Sequence, residues 1–395
     1  MRTTHLNPMI PERRPREGIL KDGPAVTPSM ELRDLSDHVE YRAGRGIEEV
    51  ARELGRDPSE FVKLSSNENP HGPSPKATIA IREAATGVHR YPKAVHADLT
   101  GALADRWDVG DDQVWVANGG DGALDYLARA TLDPGDSVLV PSPGFTYYGM
   151  SARFHHGNVA EYDVAEGADG FEMTADAVVD AYDGERVVYL TTPHNPTGAR
   201  FTLDEIVAVA DRTDEDTLVL VDEAYGEFTE TPSAVTLFDG QPAGGHAPRD
   251  DIAVLRTFSK AYGLAGIRLG YAVVPDSWAD AYARVQTPFA ASVIACQAGV
   301  AALDDDDHVE ATTDSVAWGR DYIHDELAAR TYESHGNFVL ANVGDAGRVA
   351  EAAKREGVLV RDCTSFGLPE HVRITIGTRS ETERAVAVLN EVCDT

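Results

Sequence analysis

Lysine is scarce in this chain: Lys21, Lys63, Lys76, Lys93, Lys260 and Lys354 are its whole complement. Lys260 sits in Thr257-Phe258-Ser259-Lys260-Ala261-Tyr262-Gly263-Leu264-Ala265-Gly266-Ile267-Arg268, after an apolar run and before a glycine-rich stretch. A lysine amine is the side chain that condenses with an aldehyde, and burial can lower its pKa enough to permit this. Ser259 and Arg268 could hold a phosphate together. A second segment, Leu218-Val219-Leu220-Val221, ends on Asp222-Glu223-Ala224-Tyr225. A carboxylate at the end of a buried strand needs a cationic partner. A protonated pyridine nitrogen would serve, and Tyr225 could reach a phenolic oxygen on the same ring. In Pro193-His194-Asn195-Pro196-Thr197-Gly198 the asparagine stands between prolines, in an extended or turned backbone that can present its amide to that oxygen. A fourth segment, Asn118-Gly119-Gly120-Asp121-Gly122-Ala123, lies between a strand and a helix, where backbone N–H groups bind phosphate. It lacks the spacing of the nucleotide P-loop and of the dinucleotide fingerprint.

Each segment has a plainer alternative: a surface lysine, an aspartate helix cap, an ordinary turn. Together they form the set that a pyridoxal phosphate enzyme requires, namely an aldehyde anchor, an acid for the ring nitrogen, donors for the ring oxygen and a phosphate cradle.

Further segments extend the pattern: Leu64-Ser65-Ser66-Asn67-Glu68-Asn69-Pro70, Tyr91-Pro92 and Arg373-Ile374-Thr375-Ile376-Gly377-Thr378-Arg379. In order and spacing, from about Asp34 to the C-terminus, the chain resembles the histidinol-phosphate aminotransferases of the fold type I, aspartate-aminotransferase-like superfamily. The resemblance implies an α/β fold with a large domain around a mainly parallel seven-stranded sheet and a small α+β domain. It implies pyridoxal 5'-phosphate, with Lys260 as the aldehyde anchor and Asp222 as the pyridinium partner. Asn195 and Tyr225 would bond the ring oxygen. Gly120, Asp121, Ser259 and Arg268 would hold the phosphate, and Phe145 would stack on the ring. Tyr91 would reach the phosphate of a neighbouring subunit, which implies a homodimer with shared sites. Tyr41, Asn69, Arg361 and Arg373 would contact substrate: histidinol phosphate, then 2-oxoglutarate, which leaves as glutamate. Two other activities on the same fold compete with this one, threonine-phosphate decarboxylase and aromatic amino-acid aminotransferase.

The elements that must position these groups can be read from the pattern. Val114–Ala117, Ser137–Val140, Val187–Thr191, Thr217–Val221 and Ile252–Leu255 read as short buried strands, with helices at Gly122–Thr131 and Leu203–Asp211. Near-continuous apolar strands between helices mean a largely parallel sheet covered on both faces, with ligands beyond the carboxyl ends of its strands. After Val285 a helix is expected to about Leu303, then an acidic turn at Asp304–Asp307, then a helix around Ala317–Ala329. Strands are expected at Asn337–Val343, Val358–Arg361 and Val372–Ile376. In the last, Arg373 and Thr375 share one face. The expected organisation is a flexible tail over 1–28, an arm over 29–85 that joins the small domain, the large cofactor domain over 86–285 and the small domain over 286–395.

Composition bounds the rest. The 395 residues carry 66 acidic and 35 basic side chains, a net charge of −31, with 42% hydrophobic residues. Such a field disfavours nucleic acid and anionic membranes. High acid and little lysine point to a salt-adapted protein, because at 1 M salt the Debye length is only ~3 Å. No segment is apolar enough to span a bilayer, and three cysteines support neither a disulfide framework nor a metal site, so a reducing cytoplasm is expected.

Overall fold

The computed structural model describes residues 30, 32, 34–36, 38–39, 44–168, 170–238 and 245–393. The expected tail and Tyr41 lie outside the described residues. The account below concerns His38–Thr395, one compact unit.

The strands in chain order are β1 Val62–Leu64, β2 Val114–Asn118, β3 Ser137–Ser142, β4 Asn158–Asp163, β5 Val187–Thr191, β6 Leu218–Asp222, β7 Ile252–Thr257, β8 Leu269–Val273, β9 Arg330–Thr331, β10 Phe338–Asn342, β11 Val358–Asp362 and β12 His371–Thr375. Seven of them form one sheet in the order β2-β8-β7-β6-β5-β3-β4. Only β8 runs against the others, antiparallel to both β2 and β7.

Strand alternation builds two apolar cores. Val219 and Val221 of β6 and Ile252 and Val254 of β7 pack into one, whereas Leu218, Leu220, Ala253 and Leu255 pack into the other. Side chains two apart share a face, so a run apolar at every position is buried on both sides. One of the helices that cover these faces has its start fixed by a cap. Thr202 and Glu205 form a reciprocal capping box, and the helix Leu203–Ala210 follows.

The second sheet has the order β1-β11-β12-β10-β9. β1 joins it in parallel with β11, so the segment before Ser65 reaches across the chain to strands nearly three hundred residues later.

Three expectations need correction. The helix expected around Ala317–Ala329 is Asp306–Glu326, and Asp306 and Asp307 are its first turn rather than a solvated loop. Acids there complement the positive end of the helix dipole. The helix expected from Val285 begins at Val293, with Ser292 as its cap. The sequence reading missed the short strands β1 and β9 as well as β4 and β8. β8 contains Gly270, and glycine argues against a strand interior. Its reason is steric: a Cβ there would lie 2.5 Å from the Gly119 carbonyl carbon.

Candidate active site

The carboxyl ends of β2, β3, β5, β6 and β7 open on a cavity of about 860 Å³. Eleven of the expected site residues line it: Gly120, Asp121, Phe145, Asn195, Asp222, Tyr225, Ser259, Lys260, Arg268, Arg361 and Arg373. They come from segments up to 253 positions apart in sequence, so only the sheet brings them together.

Asp222 ends β6 and is buried. Its Oδ2 accepts from the Tyr148 hydroxyl at 2.6 Å and its Oδ1 from the Ala224 N–H at 2.9 Å. Both donors are neutral. Burial pushes the carboxyl up to about 6, against the lowering effect of these two bonds. Such a group favours a cation facing it from the cavity.

Lys260 follows β7, with Nζ 5.5 Å from the centre of the Tyr225 ring. The Tyr225 hydroxyl accepts from Asn67 Nδ2 at 2.9 Å, so its own proton remains free to donate. Asn67 has φ 53°, a left-handed conformation that asparagine tolerates better than most residues. It is held at both ends: its N–H donates to Thr375 Oγ1 at 2.9 Å, and its Oδ1 accepts from the same hydroxyl at 3.0 Å.

The residues expected to hold a phosphate gather at the N-terminus of the helix Gly119–Thr131. Arg268 Nη2 lies 3.1 Å from Asp121 Oδ2, and Nη1 donates to Ser259 Oγ at 3.4 Å. Gly119 has φ 72°, which favours glycine, and a Cβ there would also displace the Arg268 guanidinium, 2.5 Å away. Burial raises the Asp121 carboxyl despite Arg268.

Asn195 lies in the turn after β5. Its neighbour His194 is buried, with Nδ1 2.8 Å from Thr197 Oγ1 and Nε2 3.0 Å from the Pro143 carbonyl. Burial lowers this imidazole to about 4, so it stays neutral and ties the Asn195 turn to the loop that carries Phe145. Phe145 meets Tyr148 edge-on at 5.4 Å.

On the other wall, Arg361 and Arg373 stand directly opposite each other in the β11–β12 register. Their guanidinium carbons lie 5.4 and 6.0 Å from the centre of the Phe366 ring. Arg373 donates to the Asn195 side-chain oxygen and, at 3.1 Å, to the Ser65 carbonyl. Arg361 donates to Ser365 Oγ at 3.1 Å.

Two expected residues are not among those that line the cavity. Asn69 donates to the Ala261 carbonyl at 2.8 Å and to Thr312 Oγ1 at 3.3 Å, bracing the loop just after Lys260. Tyr91 is 81% exposed and stacks on Phe289 at 4.7 Å. The sequence reading did not assign roles to Tyr148, Thr191, Asn67, Lys63 or Glu68, which do line the cavity. Lys63 Nζ bonds both carboxylate oxygens of Glu68, at 3.0 and 2.9 Å. For Asn67 and Glu68 the motif Ser65–Pro70 was a signal; for Tyr148 there was none, because one tyrosine of a Tyr-Tyr pair is indistinguishable from the other before folding.

A mainly parallel sheet with an acid ending β6, a lysine after β7 and an arginine set against a glycine-rich helix N-terminus defines a fold type I aminotransferase. The family model of the class I and II aminotransferases matches residues 59–389, and the chain belongs to that family. The relatives narrow the class to the histidinol-phosphate aminotransferases. The chain is 66% identical over 365 residues to that of Haloarcula marismortui, covering 92% of this chain and 99% of the relative. It is also 66% identical over 363 residues to that of Natronomonas pharaonis, covering 92% and 100%. Among solved structures, the histidinol-phosphate aminotransferase from Sinorhizobium meliloti in complex with pyridoxal-5'-phosphate superposes with a TM-score of 0.81 at 26% identity, covering 94% of this chain and 99% of that one.

Proposed function

We propose that this chain binds pyridoxal 5'-phosphate and transfers the amino group of histidinol phosphate to 2-oxoglutarate, forming imidazole-acetol phosphate and glutamate. The observation that carries the substrate reading is the Arg361–Arg373 pair. Like charges directly across two strands repel, and a phosphate dianion between them would turn that repulsion into attraction. The same planar forks suit the carboxylate of glutamate in the second half-reaction.

The residues fit the cofactor. Asp222, buried with two neutral donors, offers its charge to a protonated ring nitrogen. Tyr225 and Asn195 offer donors to the ring oxygen, and Phe145 an apolar face. Ser259, Arg268 and the N–H groups around Gly120 and Asp121 would hold the phosphate. When bound, the cofactor supplies an electron sink for charge developed at the substrate carbon that bears the amine. Lys260 would hold the aldehyde and, as a neutral amine, would take the proton from that carbon and deliver it to the cofactor carbon that receives the amino group. Asp222 would hold the proton on the ring nitrogen.

We assign residues 86–285 to the cofactor-binding domain, and residues 29–85 with 286–395 to the small domain. Tyr91, exposed here, would reach the cofactor phosphate of a second copy in a homodimer, and Tyr41 would act at the substrate end; Asn69 would act only through the loop after Lys260, which it braces. No described helix is long and apolar enough to cross a membrane. Cys296 and Cys363 are free thiols, which suits a cytoplasmic place of action.

The test is glutamate formation from histidinol phosphate and 2-oxoglutarate, with phenylalanine and threonine phosphate as alternative amines. Preference for phenylalanine, or carbon dioxide released from threonine phosphate, would overturn the assignment.

A further inference from the structure

β6 and β7 end side by side. The segment leaving one carries Asp222 and Tyr225; the segment leaving the other carries Lys260. Behind both lies a buried ion cluster that none of the chemistry above uses. Arg256, on β7, donates from Nη1 to Glu223 Oε2 at 2.5 Å and from Nη2 to Glu227 Oε1 at 2.6 Å. Arg256 and Glu223 are only 5% and 4% exposed. Glu223 also accepts from Ser233 Oγ at 2.6 Å and from the Ala234 N–H at 2.7 Å. The guanidinium lies 4.7 Å from the centre of the Trp107 ring, whose own Nε1 donates to the Tyr271 hydroxyl on β8 at 3.0 Å. At Gly226 a Cβ would come within 2.8 Å of Arg256 Nη1, so the backbone of the turn passes against the guanidinium.

Arg256 therefore grips one carboxylate just after Asp222 and another just beyond Tyr225, while standing on the strand that leads to Lys260. Burying three charges is costly, and an apolar trio of similar volume would be at least as stable. What the cluster offers is geometry, since one planar fork fixes two carboxylates at once. We infer that Arg256 is a positioning residue for the reaction: through Glu223 and Glu227 it sets where Asp222 and Tyr225 stand relative to Lys260. This rests on the roles given above to those three residues.

The experiment uses the cofactor-loaded full chain. Arg256→Lys keeps the charge but cannot span both carboxylates in one plane. Glu227→Gln keeps the Arg256–Glu223 pair and loosens only the far side of the turn, so it serves if Arg256→Lys folds poorly. The expected result is a fall in kcat of at least about tenfold with little change in KM, because small displacements of reacting groups are costly. The pH titration of the bound cofactor's visible absorbance is expected to move as well. A lowered melting temperature with wild-type kcat and a wild-type absorbance titration in either folded variant would make the cluster structural and overturn the inference. A wild-type protein that shows no cofactor absorbance would instead overturn the site reading beneath it.

Discussion

The Tyr148 hydroxyl stands 2.6 Å from Asp222 Oδ2 and 2.8 Å from Thr191 Oγ1, where the helix Tyr147–Phe154 meets the strand ends in the cavity wall. Burial and the neighbouring carboxylate hold this phenol well above its usual pKa, so it remains a donor. It orients Asp222 and favours its charged form. Tyr148→Phe removes the donor and keeps the ring. A hydrogen bond to a charged group is worth about 1.5–3 kcal/mol, so kcat should fall by roughly tenfold or more. The acid limb of the rate profile should move to higher pH, since Asp222 loses a bond that favours its anion. An unchanged profile would show that Tyr148 only packs.

In the cofactor-free protein Asp222 carries a pKa raised from 3.8 to about 6. The native state then binds more protons than the unfolded state between these values, so this group's contribution to stability is present at low pH and lost as pH rises through 6. Asp222→Asn lacks that loss. Relative to the variant, the cofactor-free wild type should weaken between pH 4 and 7 by an amount on the order of 3 kcal/mol. Added cofactor should narrow the gap, because a ring cation favours the carboxylate. Thermal unfolding of both proteins across this range is the measurement, and parallel curves would refute it.

Lys260→Ala should still bind the cofactor through Arg268, Ser259 and Asp222 but should not transaminate. Borohydride reduction of the wild type followed by peptide mass mapping should place the pyridoxyl label on Lys260. A label on another residue, or normal turnover by Lys260→Ala without added amine, would refute its role.

Arg361→Ala should raise KM for histidinol phosphate by about tenfold or more, the loss expected for a charged hydrogen bond. The glutamate half-reaction should change less. Arg373→Ala should harm both half-reactions, because Arg373 also orients Asn195. Stopped-flow measurement of each half-reaction separates these outcomes. Equal effects of the two substitutions would argue against the division of roles.

The net charge of −31 should make stability depend on salt. Melting temperature and activity should rise from dilute buffer into molar potassium chloride as repulsion is screened. Full and lasting activity in dilute buffer would refute salt adaptation.

The chain alone made the class legible because the chemistry-bearing residues sit at strand ends within short motifs. Apolar runs at β5, β6 and β7 must be buried on both faces, so Asn195, Asp222 and Lys260 had to emerge at one edge of one sheet. Gly120 and Asp121 were legible as cavity residues for a similar reason: a glycine-rich junction after a strand lies at the same edge of the sheet. Other contacts depend on residues far apart in sequence whose meeting no local pattern encodes. Tyr148 against Asp222, Arg256 between Glu223 and Glu227, and Asn67 on Tyr225 are all of this kind, and Arg361 opposite Arg373, though closer in sequence, depends on the β11–β12 register. β8 hid behind Gly270, whose lack of a side chain is needed by Gly119 across the strand pair rather than by its own segment. Local periodicity thus settles which faces are buried and which ends bear chemistry; which side chains then touch is settled by sheet order and register, which exist only once the strands have packed.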